Sequence, residues 1–432
     1  MKTYLLGLLL LVGYSCKTGP GLFGKKTLHE QYGQKLTDAG LKETTLGARW
    51  FAAAQKALDQ PVTISLPYKE TGYFAADAPL AAGLRFTAKR GQKLNIAIQK
   101  NPASGFILFL ELWRIHAGSG PTLVQALDSA GTDLSFSAED DETLLLRLQP
   151  QLLQSGDYTL DISVGPSLQF PVAGQQAKIG SFWGDSRDEG GRRHEGIDIF
   201  APKRTPAIAS ATGVITSVTE NKLGGRVVFL RPSGKNYSLY YAHLDEQLVQ
   251  SGQRINTGDT VGLVGNTGNA RTTPSHLHFG IYTSDGAIDP LAFVDREIKK
   301  AADVKVNPEI FQEYLRLVKP TTVVEAAGAQ ANLLAFGTAM KPLAFSSQQV
   351  RIQLPDGRES ILDKGLVQAG TIPLKRVKLN AATFFYESPV ATAPKKQEVP
   401  AFTMVDIIGY FNEFGLVQLR GQLGWILQTA WK

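Results

Sequence analysis

The pattern of apolar and polar positions changes several times along the chain. Over residues 26–58, Leu28, Tyr32 and Leu36 recur at four-residue spacing and the Ala-rich run Ala48–Leu58 continues the pattern, which predicts helix. From 59 to 170 the texture becomes short runs such as "LRFTAKRGQKLNIAIQ", "GFILFLELWRI", "TLLLRLQP" and "GDYTLDISV", separated by Gly, Pro, Asp and Ser. Several strand-like runs close together predict a β-sandwich. Residues 171–297 form a Gly-rich, β-rich block, and the charged stretch "DREIKKAADVKVNPEIFQEYLRLV" predicts a helical linker at 298–330. The last hundred residues return to strand, Gly turn and strand in "VRIQLPDGRESIL" and "GLVQLRGQLGWIL". The expected fold class is therefore mainly β and multidomain. It comprises a sandwich at 59–170, a central antiparallel block at 171–297 and small β-barrels at 331–380 and 381–432. Short helical segments are expected near the N-terminus and in the linker.

The N-terminus follows a different rule. Lys2 precedes an apolar run from Tyr4 to Tyr14, then Ser15 and Cys16. That run is too short to span a bilayer and suits the hydrophobic region of a secretory signal, placed at 1–15. A cysteine straight after it resembles a bacterial lipoprotein signal, although Gly13 stands where Leu is usual. The resemblance implies lipidation at Cys16 and a protein held on a membrane surface by its acyl chains. Residues 16–58 then form a tether and the helical segment. As Cys16 is the only cysteine, an intramolecular disulfide and a multi-cysteine metal site are both excluded.

Composition adds little. Lys and Arg total 45 against 39 Asp and Glu, a formal charge of +6, which suits an anionic partner. The basic residues are scattered with no run of five or more, so the expected partners include no nucleic acid. An anionic polymer such as a cell wall fits equally well, as does plain solubility.

Chemistry concentrates in the central block, which holds four of the six histidines. In "RHEGIDIF" a strand puts His194, Gly196 and Asp198 on one face, and Glu195, Ile197 and Ile199 on the other. In "SHLHFGIY", His276, His278 and Gly280 share a face opposite Leu277, Phe279 and Ile281. In "SLYYAHL", Leu239, Tyr241 and His243 alternate with Tyr240, Ala242 and Leu244. If the apolar faces pack into a core, the polar faces look into a cleft. Hydrolytic zinc commonly takes three protein ligands and leaves a position open. His194, Asp198 and one histidine of the His276–His278 pair supply such a set. "HEGID" is not the His-Glu-x-x-His helix of other zinc peptidases, because position 198 is Asp and Gly-Ile disfavours helix. Neither His29 nor His116 has a metal-ligand neighbour, and the two are expected as surface and structural residues.

The order His-x-Gly-x-Asp, Tyr-Ala-His-Leu and His-Leu-His-Phe resembles the lysostaphin-like (LytM-type) zinc metallopeptidases. With "GVITSV" and "GQRINTGDTVGLVGNTG", the likeness covers about 125 residues. It implies one Zn2+ held by His194, Asp198 and His278, with His243 and His276 as catalytic histidines. His276 would take a proton from water and pass it to the leaving amine, and His243 would stabilise the oxyanion, the division between them left open. The implied reaction is endopeptidase hydrolysis in peptidoglycan, at stem-peptide crosslinks by analogy with lipid-anchored relatives. Localisation in the cell envelope follows, on a membrane facing the periplasm or the cell surface. The two C-terminal segments resemble bacterial Src-homology-3-like modules, which in the family usually bind wall peptides; a packing role is the alternative.

Tyr241 shares the His243 face and is expected to line the cleft, with core packing as its alternative. Arg193, beside Arg192, is expected to grip a substrate carboxylate, with a solvated loop as its alternative. Three departures from the family pattern are Arg204 in place of Gly, a longer loop "NTGNARTTPSHLHF", and Gly280 in place of a common acidic residue. Two other classes compete: an inactive wall-binding relative that activates another hydrolase, and a lipoyl-type β module. The first usually loses ligands and none is missing; the second needs a hairpin-tip lysine that "GQRINTGDTVGLVGNTG" lacks.

Overall fold

Alternation of buried and exposed positions along each strand decides which side of each sheet is dry. The computed structural model describes residues 26–128, 131–187, 190–324 and 331–432. The expected signal segment and Cys16, the expected lipidation site, lie outside the described residues.

Helix α1 (Leu28–Asp38) starts at Thr27, whose hydroxyl accepts from the Glu30 amide while the Glu30 carboxylate accepts from the Thr27 amide. Gly40, in the left-handed region at φ 71°, turns the chain, and Thr44 caps α2 (Thr45–Asp59) by accepting from Gly47. The pair docks through Leu36, Trp50 and Phe109. His29, expected at the surface, is buried here instead. Its ring stacks on Trp50 with centroids 4.6 Å apart, Nδ1 accepts from Arg147 at 3.2 Å, and Nε2 donates to Gln149 Oε1 at 2.6 Å. Four-residue spacing placed the helix correctly, but it could not show that a second element covers that position. His116, expected as structural, lies exposed, in contact with the Thr122 hydroxyl at 3.0 Å.

The sandwich consists of a five-stranded sheet facing a nine-stranded one. Along Gln92–Asn101, Leu94, Ile96 and Ile98 are buried while Asn95, Ala97 and Gln99 are exposed. Each such apolar side chain contributes on the order of 1.5–3 kcal/mol on full burial. The nine-stranded sheet is not confined to the predicted N-terminal segment. Ala339–Phe345 pairs with Tyr68–Phe74, and Gln349–Gln353 and Glu359–Asp363 continue outward. The segment 331–380 therefore does not close on itself as a barrel. The buried Glu70 carboxylate accepts from Tyr68, Tyr158 and Arg351, an ion pair between residues 281 positions apart that ties the late strands to the early ones. The predicted boundary at 380/381 also moves. Lys375–Lys378 pairs with Met404–Phe411, inside a six-stranded sheet that also holds Thr383–Tyr386, Lys395–Val399, Phe414–Leu419 and Gln422–Leu427.

The described part of the linker, 298–324, holds no α-helix. Among the described residues of 298–330 there is one five-residue 3-10 turn, Pro308–Gln312, followed by strands Leu315–Leu317 and Thr321–Val324. Val304 and Val306 pack against the C-terminal core at a spacing of two, a strand-like period, and Pro308 opens the turn.

The central block is a ten-stranded sheet with a separate two-stranded ribbon, Ser186–Arg187 paired with Arg192–Arg193. Along its main path Lys178–Ser181, Ile197–Phe200, His276–Thr283, Ser238–Gln247, Gly225–Pro232, Gly213–Asn221 and Arg254–Ile255 lie side by side. Ile197, Ile199, Leu239, Tyr241, Leu277, Phe279 and Ile281 are fully buried on its core side. The histidines lie on the opposite face. No helix among the described residues is long and apolar enough to cross a membrane.

Candidate metal centre and cleft

Register builds the site. Asp198 sits opposite His278, Phe200 opposite His276, and Ala242 opposite His278 on the far side. His194 enters from the segment just before the strand, fixed by its amide to the Asp185 carbonyl at 2.9 Å. Gly196 is required between the two ligands. A Cβ there would stand 2.6 Å from the Phe279 carbonyl oxygen and 2.8 Å from the His278 ring.

His194 Nε2, Asp198 Oδ1 and His278 Nδ1 form a near-equilateral triangle with edges of 3.1, 3.0 and 3.0 Å. His194 is 2% exposed and Asp198 8%. Because a carbonyl can only accept, the 2.8 Å contact of His194 Nδ1 with Phe182 O places the ring proton on Nδ1. Nε2 of the neutral ring is then a lone pair facing an anionic oxygen 3.1 Å away, out of water. That contact is repulsive unless a cation sits between them. A single proton links two such atoms, whereas a metal ion about 2 Å from each donor serves all three. Two imidazoles and a carboxylate are the donor chemistry of zinc, so the residues fit that group.

The remaining Asp198 oxygen is held as well, since Arg187 donates to Oδ2 at 2.8 Å. Burial raises the Asp198 carboxyl, but hydrogen bonds and positive charge from His194 and His278 in their protonated forms outweigh it and hold the group well below the usual carboxylate range, the same service a bound cation gives when the rings are neutral. His278 is pushed down by burial, partly opposed by Asp198, which favours its neutral ring.

Beside the triangle stand His276 and His243, ring centroids 5.0 Å apart and edge to face. Both are oriented by backbone carbonyls: His276 Nδ1 donates to Pro274 O at 2.8 Å, and His243 Nδ1 to Thr267 O at 2.9 Å. Each neutral ring therefore keeps its lone pair at Nε2. His276 Nε2 lies 3.9 Å from Asp198 Oδ1, next to the triangle. Burial, then the neighbouring His276 and His278, lower the His243 pKa to about 4. Neutral His243 can accept at Nε2 but cannot donate there, so stabilising an oxyanion requires its protonated form.

A cleft of about 540 Å³ surrounds these groups. All of its lining residues lie between 181 and 282, so no described residue of the sandwich lines it. Two expectations need correction. Tyr241 does not line the cleft: it is fully buried in the core, its hydroxyl accepting from the Ser210 amide at 2.9 Å. The cause is His243, whose φ of 61° breaks the strand alternation beside register shifts on both flanks. Tyr240, Ala242 and His243 consequently all border the cleft. Arg193 is exposed and outside the lining, whereas Arg192, two residues before His194 and on its face, lines it.

Sequence reasoning missed Arg187, Tyr240 and Tyr282. Tyr282 continues the His276–His278–Gly280 face and was legible by the same period-two rule. Arg187 had no such signal; it reaches Asp198 from the short strand Ser186–Arg187, which pairs with Arg192–Arg193. The departure at Arg204 has a structural account. Its φ is 69°, a conformation glycine adopts freely, and the arginine there bonds Asp245 and Glu246, each at 2.8 Å.

Comparison with known proteins comes to the same segment. Residues 192–290 match the model of peptidase family M23. The chain is 38% identical over 114 residues to the L-Ala--D-Glu endopeptidase of Bacillus subtilis, covering 24% of this chain and 35% of that protein. It is 39% identical over 88 residues to the peptidoglycan DD-endopeptidase ShyC of Vibrio cholerae, 20% of each chain. A longer likeness, 26% identical over 230 residues, links it to the uncharacterized lipoprotein YgeR of Escherichia coli, with 52% of this chain and 86% of that one. The chain thus spans only about a third and a fifth of the two named peptidases.

Proposed function

We propose that this chain, whose residues 192–290 match peptidase family M23, is a zinc metalloendopeptidase that hydrolyses peptide bonds of peptidoglycan, at stem-peptide crosslinks. The observation that carries the proposal is the buried triangle of His194, Asp198 and His278, open to a cleft and flanked by two histidines with lone pairs at Nε2. Zinc held by those three side chains supplies a Lewis acid that polarises the scissile carbonyl and acidifies water. His276 takes a proton from the attacking water at Nε2 and returns it to the leaving amine. The Pro274 carbonyl holds the imidazole in the required tautomer and stabilises it when charged. His243, neutral with its pKa lowered to about 4, accepts a hydrogen bond at Nε2, and would donate to the developing oxyanion only after taking a proton from solvent. Arg187 donates to Asp198 Oδ2 and so fixes which of its oxygens faces the triangle.

The endopeptidases similar to this chain support the peptidoglycan assignment, and the lipoprotein likeness supports envelope localisation through lipid at Cys16. The test is mass spectrometry of purified sacculi digested with zinc-loaded protein, with a chelated control. New muropeptides cut at the crosslink, absent from the control, are expected. Identical profiles in both digests sink the proposal. Intact-mass analysis of membrane-fraction protein tests the anchor, expecting a diacylglycerol-sized increment on a chain beginning at Cys16.

A further inference from the structure

The cleft does not end at the histidines. Leu223, Tyr240 and Tyr282 line both the metal-side cleft and a neighbouring compartment of about 620 Å³. The strands set the floor. Ala242 pairs with His278 and Ser238 with Tyr282, so one sheet face carries His278, Gly280 and Tyr282 beside Ala242, Tyr240 and Ser238. Aromatic rings pave that face: Tyr240 lies 5.9 Å from His278, 5.7 Å from Tyr282 and 4.8 Å from Phe229, centroid to centroid.

Length and charge then say what fits. Four residues of strand at about 3.4 Å each separate the His278 level from the Ser238 level, roughly 14 Å. An extended peptide covers that distance with about four residues. At the outer end stands Arg231, next to Leu230, which pairs with Leu239. It is exposed, and it is the single charged side chain among the described residues lining this compartment. The metal-side compartment differs, mixing Arg187 and Arg192 with Asp198 and Glu195. A cation with no carboxylate beside it in the lining favours an anion there.

We propose that the second compartment is the subsite for an extended acidic peptide on one side of the scissile bond, with Arg231 receiving a carboxylate about four residues from that bond. This assignment rests on the peptidase reading above. It makes the enzyme selective for stem peptides whose distal carboxylate is free over those in which it is amidated.

The probes are a fluorescein-labelled crosslinked stem-peptide dimer and the same dimer with its carboxylates converted to amides. Binding is measured by anisotropy to full-length D198A, which does not turn over; metal-stripped wild type serves equally should that variant misfold. The acid form is expected to bind about two- to five-fold tighter than the amide, the scale of a solvent-exposed ion pair. R231Q in the same background brings the ratio to about one, and R231K keeps most of it. Equal binding of the two forms, no binding of either, or a preference that survives R231Q overturns the assignment. A zinc-loaded wild type that binds with the expected preference but cuts no bond overturns the peptidase reading alone.

Discussion

Two buried histidine clusters in this chain differ in how their polar atoms are answered. Under the helical pair, His29 has a donor at Nδ1 and an acceptor at Nε2, Gln149 passes its amide to the Trp50 carbonyl at 2.8 Å, and the Glu111 carboxylate takes both the Arg147 guanidinium and the Thr27 hydroxyl. Nothing there is left to bind. Above the central sheet, the lone pair of His194 faces a carboxylate oxygen, His278 converges on the same point, and a cleft opens beside them. Burial is similar in the two, although the first holds one histidine and the second four. What separates a structural cluster from a ligand site is whether donors meet acceptors or acceptors meet acceptors.

That contrast can be broken by substitution, and the largest effect is expected at the triangle. D198A should abolish zinc retention, read by metal analysis of the purified protein, and wall hydrolysis with it, while leaving the fold intact by near-ultraviolet circular dichroism. H276A should keep its metal and lose about 10²- to 10⁴-fold in turnover, the range for removing a general base. An unchanged rate would remove His276 from the mechanism.

The helical cluster should respond in the opposite currency. R147M leaves the Glu111 carboxylate, 2% exposed, without its cation, and should cost about 3–5 kcal/mol in urea unfolding without altering metal content. R187A, acting on Asp198 from outside the triangle, should weaken zinc binding about 10- to 100-fold in chelator competition. The smallest effect is on pH. Burial, then the Arg147 charge, lower the His29 pKa below 6.5. Above 6.5 the ring is neutral in both states and stability is flat. Below it the unfolded chain gains a proton that the folded one does not, so stability falls. Urea midpoints followed by tryptophan fluorescence between pH 7.5 and 5 should show the decline, and H29Q should remove the His29 share of it while leaving the part that His243, lowered to about 4, contributes with the same sign.

How much of this was legible depended on the range of the interaction. Period-two alternation placed His194, Gly196 and Asp198 on one face and His276 and His278 on another, and the structure brings the two faces together with Asp198 opposite His278. The same rule failed at Tyr241, because a single left-handed residue at His243 resets the alternation. Over 298–330 the error was a different one: the helix expectation followed charge density, whereas the valine spacing of two pointed to strand.

The sequence by itself determined the strands, the helical pair and the residue types of the candidate site, because a side chain's face follows from a repeat only two to four residues long. Tertiary structure alone decided that His29 is covered, that Arg351 carries late strands onto an early sheet through Glu70, and that Arg187 holds Asp198. Those contacts join residues with no shared period, and their energy comes from burying opposite charges or matched polar groups together, which is set only once the sheets have packed.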